Sequence, residues 1–410
     1  MADLRIADIR VTPIAFYDPP LLNNVGCHQP FALRSIIEVE TEDGVIGLGE
    51  SYGTQPVLEA LAVLAPRMAG IEVTDLNALW RMARETVAES GGERTLPRVV
   101  GAIEVAMWDA YGKATGRRVC DLLGGQVRET VPFSAYLFFK FARHFEASVD
   151  DPWGEVLTPD QMIGEARRMV DEHGFASLKL KAGILEPEIE IATLEALADA
   201  FPGMPLRIDP NGGWHVHTTL SLLPRLEGLL EYLEDPTPGI PGMSVVQRNT
   251  DIPLATNMCV VETAHLPPAI RSGAVRVILS DHHFWGGLQA SRELARICAI
   301  WGLGLSMHSN SHLGISLAAM THLAAATENL TYDCDTHYPW QTDEVIEGGK
   351  LTFTDGALAV PEGPGLGVTL DRDALKRLNQ NYLDAGLTVR DDAAEMRKHW
   401  PDWVGGRPCF

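Results

Sequence analysis

Between residues 176 and 308 the chain repeats one phrase: a short apolar run that halts on a residue able to bind a metal or move a proton. The halts are Lys179 with Lys181, Asp209 with Asn211, Glu234, Asn257, Asp281 and His308. From Asp209 onward they lie 25, 23, 24 and 27 residues apart, about the length of one strand, one helix and two short loops. That period predicts a parallel β/α barrel, an α/β fold in which every strand ends on one rim and residues distant in sequence converge.

The rest of the pattern frames the barrel. Strand-like runs cover Arg5 to Ala15 and Ser35 to Gly47, the second broken by the hairpin turn Glu42-Asp43-Gly44. Helical spacing of apolar residues follows at Pro56 to Met68, Leu76 to Glu89 and Leu96 to Thr115. These predict an N-terminal α+β capping domain over 1–128. The barrel is expected over 129–345, with Val131 to Phe139 as first strand, Gln161 to Glu172 as first helix and Leu330 to Cys334 as last strand. Residues 346–410, with a strand-turn segment from Lys350 to Leu370, should form a C-terminal segment that packs back on the capping domain.

Composition narrows the function. The 410 residues are 46% hydrophobic and carry a formal net charge of −22, enough for a large core and unlike a nucleic-acid or anionic-membrane binder, which needs basic patches. An acidic surface also repels an anionic substrate, so cations at the site must offset it. The six cysteines show no CxxC and no close pairing, as suits a reducing compartment. The opening MADLRIADIR has no signal-peptide core. A cytoplasmic enzyme acting on a small molecule is expected, with no nucleic acid or membrane as partner and a homo-oligomeric assembly.

The halting residues have chemistry in common. Lys179 and Lys181 are two apart on a strand and point to the same face, where mutual repulsion should lower one of them toward the neutral form a base needs. Equally, such a pair could fray into solvent at a strand end, or one lysine could form a Schiff base. Asp209, Glu234 and Asn257 offer hard oxygen donors suited to Mg²⁺, although each alone reads as a loop cap. Asp281 and His308 end neighbouring strands, so the carboxylate could orient the imidazole as a second acid/base; His282, His283 and His312 read as bystanders. His215-Val-His217 has the form of a zinc pair and keeps an amidohydrolase barrel open, but it precedes a helix instead of ending a strand.

Lys-x-Lys, Asp-x-Asn, Glu-Asp-Pro, an oxygen ligand, then Asp and His on successive strands resembles the mandelate racemase subgroup of the enolase superfamily. Ala102 to Lys113 is similar to that group's capping-domain helix and Pro364-Gly-Leu-Gly to its closing segment. Leu254-Ala-Thr-Asn-Met, Ser280-Asp-His-His-Phe-Trp, His308-Ser-Asn-Ser-His, Asp335-Thr-His337 and Arg390-Asp-Asp-Ala resemble the glucarate dehydratase family, in which Asn is the third metal ligand. The resemblance implies a modified (β/α)7β, TIM-like barrel with Mg²⁺ at Asp209, Glu234 and Asn257. It also implies catalytic roles for Lys181, His308, Lys179, Asp281 and Asn211, and substrate contacts at His28, Thr95, Tyr136, Asn310, His337 and Arg390. The implied reaction dehydrates an acid sugar, D-glucarate or its epimer L-idarate, to 5-keto-4-deoxyglucarate through an enediolate. Arg390 is suited to a distal carboxylate, and His28 and Tyr136 to hydroxyls. The segment from Phe139 to Thr158, with Lys140, Arg143, Glu146 and Asp150, departs from the family pattern. Dehydration or epimerisation of another aldarate, or a low-activity relative, stays open.

Overall fold

The computed structural model describes residues 3–90, 94–146 and 151–410. Three antiparallel strands open the chain: β1 (Ile6–Tyr17), β2 (Phe31–Thr41) and β3 (Ile46–Tyr52), ordered β1-β2-β3. The hairpin falls at the expected turn, where Gly44, at φ +78, donates its N–H to Thr41 O. Helices α1 (Gln55–Leu64), α2 (Leu76–Ser90) and α3 (Thr95–Thr115) cover one face of this sheet. Gly47 and Gly49 let α3 approach closely, because a Cβ at either would stand 2.0 Å from Ala106 O or 2.3 Å from Ala102 O.

Eight parallel strands follow as a nearly closed barrel: β4 (Thr130–Leu137), β5 (Leu178–Lys181), β6 (Leu206–Asp209), β7 (Tyr232–Glu234), β8 (Leu254–Thr256), β9 (Val277–Ser280), β10 (Gly304–Met307) and β11 (Cys334–Thr336). The main helix following each of the first seven strands is α4 (Pro159–His173), α5 (Pro187–Ala200), α6 (Val216–Leu226), α7 (Gly239–Gln247), α8 (Leu266–Ser272), α9 (Leu288–Trp301) and α10 (Gly314–Ala325), and a short helical turn, His282–Trp285, precedes α9. A capping box at Thr158 and Gln161 starts α4, and left-handed Gly174 ends it. The last strand sits later than Leu330 to Cys334. Residues Thr331 and Tyr332 both donate to Leu305 O, at 3.0 and 3.2 Å, so they stitch the seam beside β10 and the ladder to β4 begins only at Cys334.

After β11 the chain adds β12 (Ala357–Ala359), antiparallel to β4, and then α11 (Arg372–Ala385) and α12 (Asp392–His399). Helix α11 lies against β1, with Asn379 Nδ2 2.7 Å from Pro13 O. Two buried carboxylates join cap to barrel: Glu104 of α3 accepts from Leu288 N and Gln289 N at the start of α9, and Glu50 of β3 accepts from Leu313 N and Ser316 N at the start of α10. A negative charge at a helix N-terminus is favourable. Among the described residues no helix is long and apolar enough to cross a membrane.

Candidate active site

Alternation along β5 aims Lys179 and Lys181 into the barrel, and both are buried. Lys179 Nζ contacts Asp335 Oδ2 at 2.6 Å and Glu234 Oε2 at 2.5 Å, and Asp209 Oδ2 lies 3.6 Å away. Burial opposes its charge, but those carboxylates hold the ammonium well above the ordinary lysine range. The expected mutual lowering therefore fails for Lys179. Asp335, on the last strand, supplies the counter-charge that the spacing of the other residues did not reveal. Lys181 Nζ stands 2.6 Å from Asp209 Oδ2 and reaches the cavity.

Asp209, Glu234 and Asn257 end β6 and β7 and follow β8. Burial works against Asp209's charge, yet Lys181 and Lys179 hold its carboxyl down to about 2. Glu234 goes the other way, pushed well above the carboxylate range by burial and by Asp209's charge. Asn257 Nδ2 donates to Glu234 Oε1 at 2.7 Å, and Asp235 fixes the Asn257 backbone through Asn257 N at 2.9 Å. Asn257 thus keeps Oδ1 for a ligand. Two buried carboxylates in mutual repulsion and one carboxamide oxygen fit a hard divalent cation, whose charge would relieve that repulsion. Asn211 sits at φ +56, a conformation tolerated by Asn, and donates its backbone N–H to Asp209 Oδ1. Its side-chain amide exchanges hydrogen bonds with Asn24 of the cap: Asn211 Nδ2 to Asn24 Oδ1 at 2.8 Å and Asn24 Nδ2 to Asn211 O at 2.7 Å.

Across the rim, His308 Nδ1 lies 2.8 Å from Asp281 Oδ2. Burial alone would raise Asp281, but His283 and His308 keep it well below the carboxylate range. His283 is no bystander. Its Nδ1 is 2.9 Å from Asp281 Oδ1 and its Nε2 meets Arg34, Ser316 and Glu50 O, so it steers the carboxylate that orients His308. Buried His282 and His312 are pushed well below the imidazole range, chiefly by burial.

A cavity of about 560 Å³ opens between barrel and cap. Its walls bring together Lys181, Asn211, His308, Tyr136, His28, Asn310, His337 and Arg390. Thr95 opens α3 as a buried residue outside that wall, and Arg98, one turn on, lines it instead. Tyr136 is turned toward the lysine end, its OH 3.3 Å from Asp209 Oδ2. Asn310 Nδ2 donates to Tyr52 OH at 2.6 Å. His28 stacks on His337 at 6.0 Å with its Nδ1 3.1 Å from Asp18 Oδ2.

Arg390 does not present an empty fork. Its Nε and Nη2 bind the two oxygens of Asp392 at 2.6 and 2.9 Å, and its Nη1 binds Asp18 Oδ2 at 2.8 Å. One guanidinium therefore faces two carboxylates. In the divergent segment, buried Lys140 binds Asp151 at 2.8 Å, and His144 Nε2 reaches Asp18 O at 2.7 Å. Glu146 pairs with Lys398 of α12 at 3.2 Å, so this segment buttresses the Asp18 end of the cavity from behind. Asp150 lies outside the described residues.

This geometry joins a capped barrel to an all-oxygen donor set flanked by a lysine and a carboxylate-oriented histidine, and the comparisons define its class. Residues 20–124 match the mandelate racemase/muconate lactonizing enzyme N-terminal domain, and residues 161–374 match the enolase C-terminal domain-like family. The chain belongs to the enolase superfamily, in its mandelate racemase/muconate lactonizing group. A Streptomyces coelicolor protein named probable glucarate dehydratase is 49% identical over 422 aligned residues, 98% of each chain. An enolase from Pseudomonas fluorescens, solved with bound magnesium, potassium and tartrate, is 47% identical with a TM-score of 0.97 and covers 100% of both chains. An enolase from Mycobacterium smegmatis complexed with tartrate is 52% identical with a TM-score of 0.95 and covers 99% of each chain.

Proposed function

We propose that the protein is a magnesium-dependent dehydratase of acid sugars, with D-glucarate or its epimer L-idarate as substrate and 5-keto-4-deoxyglucarate as product. The observation that carries this reading is one cavity walled by both Lys181 and the Asp281-oriented His308, next to the ligand set Asp209, Glu234 and Asn257. The relative in Streptomyces coelicolor supports the reaction class, and the two tartrate-bound relatives support a hydroxylated diacid.

Bound Mg²⁺ would supply charge to stabilise the enediolate and thereby acidify the proton beside the carboxylate. Lys181 or His308 removes that proton, according to which face of the substrate carries it. Lys179, held cationic by its carboxylates behind the cavity wall, offsets part of the negative charge of the donor set through Glu234 and Asp209. Protonated His308 then gives its proton to the departing β-hydroxyl, and the resulting enol tautomerises to the keto acid. Asp281 keeps the imidazole in the orientation both steps need. All six cysteines are free thiols, which supports a cytoplasmic setting.

The test is a panel of aldarates and aldonates assayed for keto-acid formation with Mg²⁺ and after chelation. Chelator-sensitive turnover of glucarate or idarate is expected. Turnover of another aldarate alone would move the substrate within the class, and activity that ignores chelation would remove the proposal.

A further inference from the structure

The loop that follows Lys181 is gripped from behind by a carboxylate. Glu190, in the first turn of α5, is fully buried. Its Oε2 accepts from Gly183 N and its Oε1 from both Ile184 N and Leu185 N, each at 2.9 Å. Burial pushes the carboxyl up to about 7, while those three N–H groups and the nearby Trp214 indole, whose Nε1 makes no full hydrogen bond, favour its charged form. A carboxylate taken out of water is costly. Its place near a helix N-terminus and its charge-assisted bonds offset that cost.

The gripped loop also leans on the donor set. Ala182 N donates to Asp209 O at 2.9 Å, and Gly183, at φ +81, lies so close to the next loop that a Cβ would stand 2.1 Å from Pro210 O. Gly213 N donates to the same Pro210 O at 2.8 Å. The backbone just past Lys181 therefore runs between two supports, Asp209 with Pro210 on one side and Glu190 on the other. Lysine carries its amine on a flexible stem, so a fixed backbone is needed to hold Lys181 Nζ in one place. His308, across the rim, is oriented by Asp281 instead.

We propose that Glu190 is a positioning residue for Lys181: by fixing three successive N–H groups after β5 it sets where the amine stands, without touching the reacting atoms. The proposal rests on the reading of Lys181 and His308 as two bases and deepens it. Its consequence is selective. Losing Glu190 impairs the proton transfer that Lys181 performs and spares the one that His308 performs.

The magnesium-loaded protein is assayed above neutral pH, where the carboxylate is charged, with glucarate and idarate. Solvent deuterium exchange by NMR and keto-acid formation are both followed, and Lys181→Met identifies the epimer that Lys181 serves. For that epimer Glu190→Gln, which turns an amide NH2 toward the loop, should lower kcat by roughly ten- to hundredfold and change KM by less than about twofold. The other epimer should lose less than about threefold in kcat. Glu190→Asp keeps the charge but falls short of the loop, and gives the same split if the Gln variant does not fold. Equal losses for the two epimers, a loss confined to KM, or no loss would overturn the proposal. If Lys181→Met and His308→Asn remove exchange with the same epimer, the two-base reading falls and this proposal with it.

Discussion

His308 Nδ1 is committed to Asp281 Oδ2 at 2.8 Å, so Nε2 is the nitrogen left to exchange a proton inside the cavity. Lys181 approaches the same space from β5, at the other side of the rim. Two bases on opposite faces of one planar intermediate should each read one configuration. His308→Asn is expected to stop dehydration, with a loss of about 10² to 10⁴ in rate, while Lys181 still exchanges solvent deuterium into the epimer it reaches. Lys181→Met should keep only the epimer that His308 deprotonates. Proton exchange followed by NMR checks this; two variants with the same epimer preference would refute it.

The repulsion between Asp209 and Glu234 gives the metal site its own signature. Glu234→Gln removes one charge from the donor set and should abolish both Mg²⁺ binding and turnover. Metal content after dialysis and calorimetric titration with Mg²⁺ measure the first separately from the second. A variant that retains stoichiometric metal would shift the ligand assignment to another residue.

Arg390→Met should act on stability more than on substrate choice. It strands Asp18, which is fully buried, and Asp392 without their shared cation. A loss of roughly 1 to 3 kcal/mol is expected for removing their charge-assisted partner, since only His28, Ser311 and the Gln29 N–H remain beside them, read as a lower unfolding midpoint in urea. An unchanged midpoint with a diacid-specific rise in KM would show that the fork serves substrate after all.

His322, on α10, gives a pH dependence. It is buried, with Nδ1 accepting from Cys120 N at 3.3 Å and Nε2 donating to Leu366 O at 3.1 Å. Burial lowers its pKa to about 4 from an ordinary 6.5. Between those values the unfolded chain holds a proton that the folded one lacks, so stability falls as pH drops from about 6.5 to 4 and is restored above it. The full effect is on the order of 3 kcal/mol. Urea denaturation across that range should be flatter for His322→Gln than for the native chain. Parallel curves would show that other groups carry the acid sensitivity.

How much of this was legible in the sequence follows from which contacts are local. The barrel could be read because each strand carries its own apolar run and its own terminal polar residue, so Asp209, Glu234, Asn257, Asp281 and His308 announce their positions singly. Lys179's charge state could not be read, since it depends on Asp335, brought alongside only when the barrel closes. Arg390 looked free for the same reason: one of its two carboxylates, Asp18, is 372 residues away. Nothing in the sequence around Asn24 points to Asn211, 187 residues away. Leu330 to Tyr332 has the composition of a strand, but the backbone N–H groups of Thr331 and Tyr332 both go to the Leu305 carbonyl, which periodicity does not register.

The mutual grip of Asn24 and Asn211 joins the cap to the loop that follows Asp209, and Arg407 reaches Asn24 Oδ1 as well, at 3.4 Å. Beyond this clasp the cavity wall is drawn from both parts of the chain: Tyr136, Asn310 and His337 from the barrel, and His28, Arg98 and Arg390 from the cap and the C-terminal stretch. On the proposed reading Lys181 and His308, which move the protons, both stand at barrel strand ends, so substitutions in the enclosing segments can reshape part of the wall while those two residues stay unchanged.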